Sequence, residues 1–513
     1  MLVHNNGTRD GRVMREAETL QAAGHAVTVV GVPESSAEQS VERLQSGVVV
    51  LRVFWRHGWR RYLLMSGIPR GLVFLAGWTA VIYGFYRFGT WLAYEMIGAL
   101  SGGAGVAWTL ALLGALAVFL VGWGVSALSS RLSRDAQERE IARRRMIAAD
   151  AKIAGPFPAI RSRIPQWVPD WALEIGLEPF AWFGAGGAKF SLYRYRSRKL
   201  AAAAATLKPD IIHCHDCIAL PTGYRVKQML GIPLIYDAHE IYEAVSARRL
   251  GATDYFARIH TQLLSRIDGF IAVNDSAARY YRLAYPDAPA AVVIRNATKH
   301  ILLENYDGRL HRAAGVPPEK KILLYQGGFT KDRGLPTLVR SAVLLPADWC
   351  VVMMGAGFLA DDLRAMANGV DAIRFLPPVP PQELLSWTQG ATAGIVPYED
   401  TVLNHWIATP NKLWEYPNAG VPMIVQPFPE MRRIVETYGC GWVLREEFSA
   451  AAIARLVASL SDSMIADARD GCRRFIAEDN WNQTYAPRLL ELYRKLAQQA
   501  AAGRKPAPLC VRA

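Results

Sequence analysis

The sequence predicts an α/β protein of two parallel-sheet halves, with a two-helix membrane insertion in the first half. Three observations lead there. Short apolar runs alternate with amphipathic stretches of helical length up to Phe54, and again from Pro209 to Asn296. A second alternation of the same kind begins at Lys321 and runs to Val425. Between the first two blocks, Ala104 to Leu128 carries no charge over 25 residues, more than the ~20 that a membrane-spanning helix needs.

In chain order, Met1 to His4 reads as the end of a strand, short enough that either the strand is truncated or the true start lies upstream. A polar loop follows (Asn5, Asn6, Gly7, Thr8, Arg9, Asp10, Gly11), then a helix near Val13 to Ala23, a stop at Gly24 and a buried strand at Val27 to Val30. Val48 to Phe54 makes a third strand. From Gly71 to Tyr94 the only charge is Arg87, so this segment pairs with the second as a hairpin. An interfacial or re-entrant helix is its alternative. An even number of crossings returns the chain to the side it left, as one shared sheet requires. Arg56, Arg60, Arg61 and Arg70 precede the hairpin and Arg131, Arg134, Arg139 and Arg143 to Arg145 follow it, which puts both flanks on the cytoplasmic side.

Residues 131–199 hold fourteen Lys or Arg against seven Asp or Glu, over half of the chain's net charge of +13. With Phe157, Trp167, Trp171, Phe180, Trp182 and Phe183 among them, the mixture suits a lipid headgroup surface. Nucleic acid is the rival partner of such a patch; its place beside a span favours lipid. Ser191 to Leu207 reads as a helix leading back to the strands at Asp210 to His215, Pro233 to Tyr236, Gly269 to Val273 and Ala291 to Arg295. The second half takes its strands from Lys321 to Gln326, Cys350 to Met354, Ala372 to Phe375, Ala393 to Val396 and Met423 to Val425, and ends in a helix near Tyr485 to Leu496. At 51% apolar and 20% charged the chain is not disordered. Six scattered cysteines argue against a secreted disulfide framework, and no signal peptide is expected.

The stretch Thr409, Pro410, Asn411, Lys412, Leu413, Trp414, Glu415, Tyr416 reads as a capped helix start, with Thr409 capping and Pro410 at the first helical position. Lys412 then lies in the first turn, where a cation is disfavoured by ~0.3–1 kcal/mol. A bound anion would account for it, and Glu415 could accept from a ribose diol; an ion pair between the two is the alternative. Pro417 should end or kink this helix. The glycine turn Gly327, Gly328 before Lys331 and Arg333 suits a phosphate-bearing ligand, and Gly355, Ala356, Gly357 is a weaker turn of the same kind. Density of His and Cys at His213 to Cys217 raises zinc, but strand alternation separates His213 and His215 from Cys214 and no second Cys pair follows, so polar residues facing a cleft are preferred.

Together these segments resemble the retaining family 4 glycosyltransferases of the GT-B fold. The resemblance rests on Asp10 to Val13 with Arg15, Glu16 and Ala17, Pro209 to Asp216 (PDIIHCHD), Tyr236 to Glu240 (YDAHE), Ile294 to Asn296, Tyr325 to Gly334 (YQGGFTKDRG), Phe375 to Pro381 and Pro410 to Pro422 (PNKLWEYPNAGVP). It implies two Rossmann-like domains (GT-B) facing across a cleft. The first, an acceptor domain, takes residues 1–60 and 200–297, with the hairpin at 63–130 and the basic and aromatic juxtamembrane segment at 131–199. A nucleotide-sugar domain takes 298–480, followed by a C-terminal helix at 481–498, expected to cross back, and a tail at 499–513.

The resemblance also implies roles. His239 would lie near the transferred sugar; Gly327, Gly328, Arg333, Asn411, Lys412 and Glu415 would bind the donor; Asn6, Arg12, His215, Asp216 and Asp400 are weaker candidates for the acceptor site or the cleft. The expected donor is a nucleoside diphosphate sugar, with no cofactor, no metal and no nucleic acid, and the expected acceptor a lipid-linked or polysaccharide precursor. The implied setting is the inner or plasma membrane, multi-pass, with the catalytic domains cytoplasmic. Two positions depart from the family pattern. Gly328 stands where many members have Arg, and Ile407 stands where a second Glu is common, leaving Glu399, Asp400, Asn404 or His405 as substitutes. A catalytically silent nucleotide-sugar-binding protein and a nucleotide-sugar epimerase are the alternative functions.

Overall fold

Asp10 starts the first helix by accepting hydrogen bonds from the backbone N–H groups of Arg12 (3.1 Å) and Val13 (3.2 Å). In the computed structural model, which describes residues 1–8, 10–33, 38–54, 187–244 and 252–503, this is α1 (Gly11–Ala22). Gly24, at φ +90°, turns the chain into β1 (Thr28–Gly31). Next come β2 (Val41–Arg43) and β3 (Val49–Arg52), then α2 (Gly187–Thr206), β4 (Ile212–His215), α3 (Leu220–Leu230), β5 (Leu234–Ala238), α4 (Ala252–Leu263), β6 (Gly269–Ala272), α5 (Asp275–Ala284) and β7 (Val292–Val293).

Residues 1–3 unite the first sheet. Leu2 bridges Val30 on one side and Cys214 on the other; its backbone bonds His213 and His215, and those of Met1 and Val3 bond Val30. The spatial order is therefore β2-β3-β1, residues 1–3, then β4-β5-β6-β7. Every pair of these strands is parallel except β2 with β3. That antiparallel strand was not foreseen, because its residues are half to fully exposed and carry no apolar run.

The second half contains α6 (Arg309–Ala314), β8 (Lys321–Gln326), α7 (Leu335–Ser341), β9 (Trp349–Met354), α8 (Ala360–Met366), β10 (Ile373–Leu376), α9 (Leu384–Thr388), β11 (Ala393–Val396), α10 (Leu403–Trp406), α11 (Lys412–Asn418), β12 (Met423–Val425), α12 (Pro429–Tyr438), β13 (Gly441–Val443), α13 (Ala450–Ala458) and α14 (Asp462–Glu478). Its parallel sheet runs β10-β9-β8-β11-β12-β13. After one turn at Trp481–Tyr485, α15 (Ala486–Gly503) packs on the first half. Its Tyr493 hydroxyl meets His213 Nδ1 at 2.9 Å, and Leu492 and Leu496 lie against Gly269.

The predicted hairpin at 63–130 lies outside the described residues, as does residues 131–186 of the basic segment. Among the described residues, no helix is long and apolar enough to cross a membrane.

The halves are bolted together behind the cleft. Leu403 and Ile407 belong to the second half by sequence, yet both are buried in the apolar cluster of Leu220, Tyr236, Phe270 and Tyr280. Burying such side chains stabilises by about 1.5–3 kcal/mol each. Asn404 clasps the Ile241 backbone in both directions, accepting from its N–H at 2.8 Å and donating to its carbonyl at 3.0 Å. Asn274 donates to the Ile407 carbonyl (2.8 Å) and to Thr409 Oγ1 (3.2 Å). Thr409 is thus not the helix cap the sequence suggested: its hydroxyl is taken by the other half, and α11 begins at Lys412 with Asn411 at its N-cap, without a side-chain cap bond. Pro417 sits in the last turn, and the helix ends one residue later.

Close packing of Tyr416 on β11 fixes α11. The Tyr416 hydroxyl donates to Leu324 O at 2.9 Å, and its ring lies flat on Gly394, where an added Cβ would come within 2.6 Å of three ring carbons. A Gly394→Ala substitution should therefore cost about 1–3 kcal/mol of stability by overpacking, measured as a lower urea midpoint with unchanged slope.

Candidate functional site

Two cavities meet at the strand ends where the halves face each other. One, of about 370 Å³, is lined by Asn5, Asn6, Asp10, Gly11, Arg12, His239, Asn296 and Asn411. The other, of about 530 Å³, belongs to the second half and includes Gln326, Gly327, Gly328, Gly355, Tyr398, Asn411, Lys412 and Glu415 in its wall. Asn411 lines both.

The second cavity is built from backbone as much as from side chains. Gly327, at φ +127°, lets Lys412 Nζ come so close that a Cβ there would stand 2.7 Å from it, and Gly355 lies against the Gly327 carbonyl. Only glycine fits either place. Half-buried Lys412 has its ammonium 5.2 Å from the centre of the Tyr325 ring. Burial pulls its pKa down to about 8, with Glu415 opposing and Arg333 adding to the pull.

Glu415 is aimed by a relay. Thr388 donates to Gln326 Oε1 at 2.7 Å, and Gln326 donates through Nε2 to Glu415 Oε2 at 2.8 Å. Arg333 does not line the cavity; its guanidinium stacks 3.8 Å from the centre of Tyr398, which does. Tyr398 and Gln326 were not foreseen, because neither carries a charge that would mark it in the sequence.

The first cavity rests on a buried charge network. Arg12 binds Asp237 with both Nε (2.7 Å) and Nη2 (2.9 Å), and its Nη1 donates to Ile294 O (2.8 Å) and Asn296 Oδ1 (3.2 Å). The Arg12 donors are thus directed inward, although the residue lines the cavity. Burial works against an ionised Asp237, yet Arg12 and His239 hold its carboxyl well below the usual carboxylate range. His239 is gripped from both sides, Nδ1 at 3.1 Å from Asp216 and Nε2 at 3.2 Å from Asp237. Burial alone would lower its pKa, but Asp216 and Asp237 outweigh this and raise it to about 9. The ring is consequently a fixed cation with both nitrogens engaged.

Asp216 is held for that contact by a left-handed backbone, φ +70°, with its N–H on the Asp237 carbonyl at 3.0 Å. His215 is buried behind His239 and does not line the cavity; α1 covers that face with Glu16, whose pKa burial and then the Asp237 charge push up to about 8. Glu240 was not foreseen: burial and the Asp216 charge push it up to about 7 beside Arg333. Asp400 is exposed, next to Glu399, whose N–H bonds the Asp332 carbonyl at 3.2 Å. Ile407 points into the core of the first half, so its position has no access to either cavity.

Comparison with known proteins gives a consistent picture. The family model described as Glycosyltransferase Family 4 matches residues 155–299, and that described as Glycosyl transferases group 1 matches residues 320–463. A D-inositol 3-phosphate glycosyltransferase of Thermobispora bispora is 24% identical over 307 residues, which cover 55% of this chain and 70% of that protein. The enzyme of that name from Corynebacterium diphtheriae is 26% identical over 214 residues, covering 37% of this chain and half of that protein. In fold, the chain is similar to a sucrose-phosphate synthase from Thermosynechococcus elongatus, with a TM-score of 0.59, 15% identity and coverage of 97% and 98% of the two chains.

Asp237 is the carboxylate that Arg12 grips through two nitrogens, while Glu16 only approaches at 3.3 Å, so removing Asp237 takes away the main compensation of a buried guanidinium. Asp237→Ala should destabilise the protein by about 3–5 kcal/mol, read by chemical denaturation.

Proposed function

This chain belongs to the glycosyltransferases, and we propose that it moves a sugar from a nucleoside diphosphate sugar to a hydroxyl of a lipid-linked or polysaccharide-precursor acceptor, with retention of configuration. One observation carries the reading: a cavity with a lysine, an aimed carboxylate and close backbone opens beside a polar cavity, and the two share Asn411.

In this reading the donor occupies the larger cavity. Glu415, oriented by Gln326, accepts from the ribose diol. Gly327 and Gly328 let the diphosphate approach the backbone, and Lys412 neutralises it, with Arg333 adding positive potential from beyond Tyr398. The acceptor hydroxyl enters beside Asn6, Arg12 and Asn296. Its oxygen bonds to the anomeric carbon while the bond from that carbon to the diphosphate breaks, and the hydroxyl proton leaves with the diphosphate. His239 supplies a preset positive charge near the departing anion, a form of electrostatic stabilisation that needs no reorganisation. With both nitrogens bound to carboxylates it is not available as a base.

The names of the relatives, D-inositol 3-phosphate glycosyltransferases, favour a phosphorylated polyol as acceptor. The uncharged run at 104–128 and the basic residues after it favour a lipid-linked one. We place the enzyme at the cytoplasmic face of the membrane for that reason. Purified full-length protein in detergent, offered donors with either polyprenyl-linked or soluble phosphorylated acceptors, decides the matter; transfer to soluble acceptors alone would refute the lipid-linked part. The anomeric configuration of the product tests retention.

Two outcomes follow for the site. Glu415→Ala and His239→Ala should each lower turnover by roughly 10²–10³-fold, and near wild-type rates in both would overturn these assignments. Donor affinity should be greatest below pH 8 and weaken as pH rises, because the diphosphate prefers charged Lys412 and that charge is lost through a pKa of about 8. Isothermal titration should show this slope in the wild type and a flatter one in Lys412→Met.

A further inference from the structure

Beneath the first cavity, α1, β4 and β5 bring together a set of side chains that touch neither substrate in the proposed transfer. Glu16, His213, His215 and Asp237 each offer a ligand atom, and these atoms all lie within 4.8 Å of one another. All four residues are at most 1% exposed.

Their hydrogen bonding is incomplete in a particular way. Among the described residues, neither oxygen of Glu16 has a hydrogen-bond partner, and neither does Nε2 of His213 or of His215. The other ring nitrogens are provided for: Nδ1 of His213 meets the Tyr493 hydroxyl at 2.9 Å, and Nδ1 of His215 lies 3.3 Å from Asp237 Oδ2. The two imidazoles stack with centroids 4.2 Å apart, and His213 Nε2 is 3.9 Å from Glu16 Oε2. Buried polar atoms are nearly always paired, so these orphans, on residues whose ligand atoms lie within 4.8 Å of one another, point to a shared partner.

Arg12 is not that partner. It approaches Glu16 Oε1 at 3.3 Å without a hydrogen bond, and its donors go to Asp237, Ile294 and Asn296. Imidazole nitrogens held by a hydroxyl or carboxylate on the far side, with a carboxylate across from them, form the usual environment of a bound transition metal. Such atoms bind an ion of the zinc class at ~2.0–2.2 Å.

We propose that Glu16, His213 and His215 bind a divalent transition-metal ion of the zinc class, with Asp237 and Tyr493 orienting the two imidazoles. The ion ties α1 to β4 and, through the Tyr493 contact, to α15, directly behind His239. It takes no part in the transfer step, so the site stands whether or not the proposed acceptor is right. The sequence argued against zinc from the cysteines; Glu16, more than 190 positions before the histidines, supplies the missing ligand.

Full-length protein in detergent, stripped with a chelator, reloaded with zinc and freed of excess by gel filtration, should retain one equivalent by elemental analysis. Glu16→Gln and His215→Gln should each lower zinc affinity at least ~10-fold, the low end of the ligand-shell losses seen in metal sites. X-ray absorption of the zinc-loaded wild type should show imidazole scattering from two ligands and no sulfur. This last measurement stands even if the variants fail to fold. Less than one tenth of an equivalent retained, an equivalent unaffected in both folded variants, or a shell containing sulfur or no imidazole would overturn the proposal.

Discussion

The bidentate bond between Arg12 and Asp237 is the contact on which the first half of the cleft depends. It joins the start of α1 to the end of β5, and the same guanidinium reaches Ile294 and Asn296 at the boundary between the halves. A buried ion pair repays its desolvation only when the remaining donors are satisfied, and here all three nitrogens of the guanidinium are placed. Asp237 then serves a second purpose. Its Oδ2 lies beside both His215 and His239, so one ionised carboxylate orders the loop after β5.

The second constraint is the joint behind the cleft. Leu403 and Ile407 plug an apolar core that belongs to the other half, and hydrogen bonds through Asn404, Asn274 and Asn296 surround the plug. Further along, Glu430 accepts from Ser276 N and Oγ at 3.0 and 2.7 Å, and Arg295 binds Asp479 at 3.0 Å and Asp275. The halves are thus fixed to one another along this joint, which reaches the first cavity at Asn296. This also explains the residue that departs from the family pattern: at Ile407 a carboxylate would be forced into a hydrocarbon core, at a cost of several kcal/mol.

Much of the architecture was legible in the sequence because parallel strands buried on both faces read as short apolar runs, and β8, β11 and β12 fall where those runs lie. What could not be read was non-local. Thr409 has the chemistry of a helix cap, and only the fold reveals that Asn274, far away in sequence, takes its hydroxyl. Glu16 sits in an amphipathic helix among charged neighbours, and its pattern does not distinguish a solvated acid from one at 0% exposure. Lys412 was visible for the opposite reason: a cation in the first turn breaks a local rule, so the sequence itself carries the anomaly, and Glu415 is marked by standing three residues from it. Helices such as α12 and α14 passed unmarked, being spaced as ordinary surface helices with no feature to single them out.

Among the described residues, Asn411 is the one that lines both cavities. Elsewhere the two walls draw on different elements: the first loop, α1 and the segment after β5 on one side, and the turns after β8 and β9 with α11 on the other. A lineage can therefore vary one wall while leaving the other intact, so that under the proposed function exchange of acceptor does not oblige exchange of donor. Position 411 is where that modularity ends. A new side chain there alters both compartments at once, which makes it a site of evolutionary pleiotropy in a scaffold otherwise divided into independently mutable parts.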